Sequence, residues 1–127
     1  MTDTAMARQV LDAMTDTAAK QVVLTAAPAA VPVPQGRATY VASRGTLIFL
    51  ANNMQPLAPA KVYELWLIPA SGQAAIPAGT FHPDERGDAS VILPSLPKGV
   101  EVKAFGVTVE GEGGASTPTL PIILSGS

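Results

Sequence analysis

From Gln21 onward the chain is built of short apolar runs rich in Val, Ile, Leu and Thr, separated by Gly and Pro. Runs of strand length bounded by turn residues are the pattern of an all-β chain. Eight of them read as strands: Gln21 to Ala26, Ala38 to Ser43, Thr46 to Ala51, Val62 to Ile68, Ala78 to Phe81, Ala89 to Leu93, Glu101 to Val109 and Leu120 to Leu124. That number predicts a small antiparallel β-sandwich of about seven to eight strands. Ahead of it, Met6, Val10, Leu11 and Met14 recur at helical spacing, with Asp3 or Thr4 placed to cap. A short amphipathic helix or a frayed linker is therefore expected over residues 1–19, and the sandwich domain over 20–127.

The punctuation has mechanisms behind it. Ser43-Arg44-Gly45 predicts a tight hairpin turn in which Gly45 takes a positive φ. The longer reversal from His82 to Asp88 has Pro83 to preset φ, Asp84 to bond the backbone ahead and Gly87 to close it. Two prolines in Pro94 to Gly99 exclude a continuing ladder. The proline-rich stretch from Ala27 to Gln35 reads as an extended crossing between sheets and lacks the basic anchors of an SH3-type ligand.

Side-chain parity assigns faces. Phe105, Val107 and Val109 share one side of their strand and should enter the core, opposite Thr108 and Glu110. Val100 and Val102 follow the other parity, so a bulge is expected near Ala104 to Gly106. Val62 to Ile68 is apolar at nearly every position, as a strand covered on both faces should be. Its exception, Glu64, shares a face with Trp66, and a carboxylate there has to find a hydrogen-bond donor or reach solvent.

Composition narrows function mainly by exclusion. The 127 residues fit one domain, and 8 basic against 10 acidic residues give a net charge of -2 with no basic cluster. Neither a nucleic-acid partner nor an anionic membrane surface is indicated by charge. With no Cys there is no disulfide or thiolate, and no apolar stretch has the length of a membrane span. The opening MTDTAMARQ does not read as a signal peptide, so any targeting segment is expected upstream of Met1.

Catalytic constellations are sparse. His82 is the only histidine, and no Gly-x-Ser-x-Gly elbow accompanies it. His82, Asp84 and Asp88 are the weak candidates for a cation, without the carboxylate order of an EF-hand or the ligand set of a zinc site. Glu110 and Glu112 are the nearest paired carboxylates, set in a glycine-rich loop that lacks the features of a phosphate cradle. Tyr40, Tyr63 and Trp66 would form a sugar platform if exposed and core if buried. The residues predict no enzyme and no cofactor.

Several stretches together carry a family likeness. They are Leu57-Ala58-Pro59-Ala60-Lys61-Val62-Tyr63-Glu64-Leu65-Trp66-Leu67-Ile68-Pro69, then Gly79-Thr80-Phe81, the Asp84 to Gly87 turn, and Phe105-Gly106-Val107-Thr108-Val109-Glu110 with Gly113-Gly114 and Pro118. From about Lys20 to Gly126 the chain resembles the C-terminal domain of the anti-sigma-K factor family. Glu64 stands where that family usually has Gln, and Gly111 where it has Pro. The resemblance marks Tyr63, Leu65, Trp66, Phe81, Gly87, Phe105, Val107, Val109 and Glu110 as structural motif positions and implies no chemistry of the domain's own.

It also implies a setting: the extracytoplasmic part of a single-pass bacterial inner-membrane protein. In such a protein an N-terminal domain, absent from this chain, holds an extracytoplasmic-function sigma factor. A transmembrane helix, also absent here, anchors it, and regulated intramembrane proteolysis frees the sigma factor. The alternative expectation is a stand-alone cell-envelope module that binds a protein or a carbohydrate.

Overall fold

In the computed structural model, residues 2–26, 34–93 and 96–127 are described. A helix, α1 (Thr2–Thr15), precedes eight strands: β1 (Lys20–Thr25), β2 (Gln35–Val41), β3 (Thr46–Asn52), β4 (Lys61–Pro69), β5 (Ile76–Phe81), β6 (Ala89–Leu93), β7 (Val102–Gly111) and β8 (Leu124–Gly126). They form one sheet in the order β5-β4-β7-β8-β1-β2-β3-β6, and every pairing is antiparallel. The all-β class is as expected. Its two layers are two halves of a single rolled sheet, β5-β4-β7 and β1-β2-β3-β6, whose ladders are linked through the three residues of β8.

Alternating side chains from both halves fill the interior. Tyr40, Leu47, Phe49, Tyr63, Leu65, Leu67, Phe81, Phe105, Val107 and Leu124 belong to one buried cluster. Aromatic pairs tie the halves together, with ring centroids 5.9 Å apart for Tyr40 and Phe105 and 5.6 Å for Phe49 and Phe81. Offset and edge contacts of this kind add to the burial of the rings themselves. Gly36 makes room for one of them, because a Cβ there would stand 2.6 Å from the Phe49 ring.

Several expectations are corrected in detail. The reversal from His82 to Asp88 does not close a hairpin: β5 pairs with β4 and β6 with β3. The two strands are the outer edges of the rolled sheet and meet through side chains, Leu93 and Val91 lying over Gly79. The last strand is displaced from Leu120–Leu124 to Leu124–Gly126. Pro121 has no amide to give a ladder, and Leu120 and Ile122 face outward. The bulge falls one step early, with Ile68 opposite Ala104 and Pro69 opposite Val102, so Lys103 is the extra residue. Both Ala78 and Phe81 belong to β5, which starts earlier than expected, at Ile76.

Helix α1 begins at Thr2, ahead of the expected cap at Asp3 or Thr4. It lies on the outer face of β2 and β3, where Ala13 packs with Val41 and Ile48 and is flanked by Val10 and Ala19. Leu11 and Met14, expected on the buried face, are 60% and 46% exposed. The small Ala13 approaches the sheet where a larger side chain would hold the helix off. Arg44, in the β2-β3 turn, reaches Asp16 at 3.2 Å and Asp12 at 3.7 Å. The expected position of Met6 on this helix, most of the proline-rich crossing (27–33), and residues 94 and 95 lie outside what is described. Among the described residues no helix is long and apolar enough to cross a membrane.

Candidate functional site

The two motif stretches are neighbours in space. β4 and β7 pair in unbroken register from Lys61 to Ile68, with Tyr63 opposite Val109, Glu64 opposite Thr108, Leu65 opposite Val107 and Trp66 opposite Gly106. Strand parity sends Tyr63, Leu65, Phe105 and Val107 into the core, and Val109 packs against it partly buried. The other parity places Glu64, Trp66, Thr108 and Glu110 together on the outer face. All four are buried there, at 4%, 1%, 0% and 3% exposure.

What covers them is the chain's own C-terminal segment, residues 112–123, a strap without regular structure. β7 ends in a turn in which the Gly114 N–H donates to the Gly111 carbonyl at 3.0 Å. Gly113 and Gly114 take φ of 96° and 79°, the left-handed region that favours glycine. A Cβ on Gly114 would also stand 3.1 Å from a Glu64 oxygen. The strap then docks on two carboxylates. The Ala115 N–H donates to Glu64 Oε1 at 2.7 Å, and the Thr119 N–H and hydroxyl donate to Glu110 Oε2 and Oε1 at 2.8 and 2.6 Å.

Beneath the strap a relay runs through the sheet face. The Trp66 indole N–H donates to Thr108 Oγ1 at 2.8 Å, and the Thr108 hydroxyl donates to Glu110 Oε2 at 2.5 Å. The indole lies beside a position where Gly106 offers no side chain, and Ile122 folds over that glycine. Among the described residues no buried side-chain nitrogen or oxygen lacks a partner. That completeness matters because a half-satisfied buried network costs more than an apolar one.

The two carboxylates differ in character. Burial pushes Glu64 above its ordinary range; the Ala115 N–H opposes this only in part, and the Glu110 charge adds to it. Burial also acts to raise Glu110, but bonds from Thr108 and Thr119, helped by Lys61, outweigh it and hold the carboxyl below the ordinary range. Both act as acceptors for the chain itself. The arrangement is a clamp on a polypeptide segment, with no nucleophile or free base in it.

The remaining sequence candidates lie elsewhere. His82, Asp84 and Asp88 border an open surface depression together with Leu50 and Asn52 of β3. Asp84 is used locally: the N–H groups of Asp88 and Arg86 bond its Oδ1 and hold its carboxyl below the ordinary range. Among the described residues no three potential ligands gather as a metal site would need. Gly87, at φ 83°, is pressed against the backbone of Met54, whose N–H donates to the Gly87 carbonyl. Tyr40, Tyr63 and Trp66 are each at most 2% exposed, so no sugar platform stands on the surface. Tyr40 and Tyr63 are core, whereas Trp66 is buried outside it, under the strap.

Sequence reasoning identified Glu64 as needing a donor and missed which one, because Ala115 is 51 residues away. It placed Thr108 beside Glu110 on the face away from the core without giving it a partner, and it gave Thr119 no role. The available signal was two polar residues at alternate positions of an otherwise apolar strand, Thr108 and Glu110, facing the same way as Trp66.

Comparison with known proteins places these residues in a wider group. The family described as "Anti-sigma-K factor rskA, C-terminal" matches residues 2–122. The chain is also 37% identical over 93 residues to a protein named Anti-sigma-K factor RskA from Mycolicibacterium vanbaalenii (strain DSM 7251 / JCM 13017 / BCRC 16820 / KCTC 9966 / NRRL B-24157 / PYR-1). That alignment takes in 68% of this chain and 36% of the relative, so the chain spans about a third of the length of the curated relative it matches. No solved structure matches it.

Proposed function

The chain belongs to the anti-sigma-K factor C-terminal family, and from that premise we propose that it is the extracytoplasmic regulatory domain of a membrane-anchored anti-sigma factor. The observation that carries this reading is the extent of the match, residues 2–122, which takes in α1, the strands β1 to β7 and nearly all of the strap. In this reading the sigma-holding domain and the membrane span belong to parts of the protein outside these residues. The folded domain restrains the anchored protein from regulated proteolysis, and a change in the domain or its partner lifts the restraint and frees an extracytoplasmic-function sigma factor. The clamp supports a regulatory rather than catalytic use, since both buried carboxylates are already occupied by the chain's own donors.

The test is an in-frame chromosomal deletion of residues 20–127, with transcripts measured genome-wide under envelope stresses. A coherent set of promoters is expected to lose its normal induction profile. An unchanged transcriptome under every condition would sink the proposal.

A further inference from the structure

The strap and β8 form one unit with an unusual place in the fold. β8 pairs with β7 at three positions and with β1 at one, and it supplies the ladder between the two half-sheets. The strap before it is held by side-chain acceptors, and Leu124 at its end is fully buried between the layers. Lifting residues 112–126 would uncover the ladder edges of β1 and β7, two carboxylates and an indole together. A slot lined in that way favours refilling over standing empty, because unpaired strand edges and exposed apolar surface both invite another chain.

The lining of the slot dictates what fits it. Its occupant must place an N–H on Glu64, an N–H and a hydroxyl on Glu110, and an apolar side chain where Leu124 sits. The C-terminal segment of an identical chain meets all four demands. The hinge that would let it cross over is present as well: Gly111 and Gly113 have open space around the position of a Cβ, and Gly113 and Gly114 carry the reversal. We propose that this slot is an exchangeable strand site, and that residues 112–126 of a second copy replace the resident segment reciprocally to join two chains. Exchange of identical elements is a low-cost route to dimers because it reuses contacts that already exist. The inference does not depend on the regulatory reading above and is tested on the purified chain.

The probe is a labelled peptide of residues 112–127, titrated into the whole chain and followed by anisotropy. Thr119→Val weakens the resident segment and leaves the slot intact, so the peptide should bind roughly tenfold more tightly than to wild type, a charge-assisted bond having been removed from one competitor only. Glu110→Gln weakens resident and visitor alike, so its apparent affinity should stay near that of wild type. Deleting Gly113 and Gly114, which prevents the segment from folding back, should give a dimer with Trp66 emission as blue-shifted as in wild type. Peptide binding to Thr119→Val no tighter than to wild type, a gain for Glu110→Gln equal to that for Thr119→Val, or a monomeric deletion variant would each overturn the proposal.

Discussion

Replacing Thr108 by Val keeps the shape of a fully buried side chain and removes one hydroxyl. That hydroxyl accepts from Trp66 Nε1 and donates to Glu110. With Val in place the indole N–H is left buried without an acceptor, which costs about 1 to 3 kcal/mol. Glu110 loses one of three donors, and bonds to charged groups are worth about 1.5 to 3 kcal/mol. Not having to bury a hydroxyl returns about 1 kcal/mol. The net expectation is a loss of about 3 kcal/mol, a large share of the roughly 5 to 15 kcal/mol typical of a domain. Urea unfolding followed by circular dichroism reads it as a midpoint lowered by about 1 to 2 M with the slope unchanged. Trp66→Phe, which removes the orphaned N–H, should make the second loss on adding Thr108→Val smaller than the first. A loss under about 0.5 kcal/mol, the size of an ordinary surface substitution, would refute the relay.

The two carboxylates should respond oppositely to pH. Glu110 lies below its ordinary value of 4.5 in the folded chain, so its contribution is present above about that pH and is lost as pH falls through the folded value. Glu64 lies above its ordinary value, so its penalty at neutral pH disappears as pH falls through the raised value, and stability rises there. Glu110→Gln should therefore destabilise at pH 7 and remove the acid loss, whereas Glu64→Gln should be neutral or stabilising at pH 7 and remove the gain; stability curves against pH for the two variants decide it. Gly45→Ala should be severely destabilising in thermal melts, because φ is 66° and a Cβ would stand 2.1 Å from the Leu96 carbonyl oxygen. Gly72→Ala, at φ 83° with open space around it, should lose only about 1 to 2 kcal/mol; equal losses would contradict the packing. Arg44→Ala should cost under about 1 kcal/mol and less in high salt, since its partners Asp12 and Asp16 lie at the surface.

The parts of the fold legible in the sequence are those fixed by local pattern. β4 reads as a strand covered on both faces because its apolar run is nearly unbroken, and Gly45 reads as a turn because glycine tolerates the positive φ it takes there. The parts that escaped depend on partners distant along the chain. The run from Leu120 to Leu124 looks like a strand by composition, yet its path follows Glu64 and Glu110 on other strands, and Leu124 enters the core with Ile123 packed partly against it. Leu11 outranks Ala13 in hydrophobicity, but it is the smaller residue that packs against Val41 and Ile48 on the outer face of β2 and β3. Trp66 shows the limit of parity: its burial could be inferred from size, but not that its cover is the strap rather than the core.

The location of the domain is the claim on which the regulatory account rests, and it can be measured directly. Ser71 is exposed in the loop after β4 and the chain contains no cysteine, so Ser71→Cys places a single reactive thiol within these residues. In intact cells producing the natural protein with this change, a membrane-impermeant maleimide should label the new thiol, and the unchanged protein serves as the reference. Labelling before lysis is the result the account predicts; labelling that appears only after the cells are broken would contradict it.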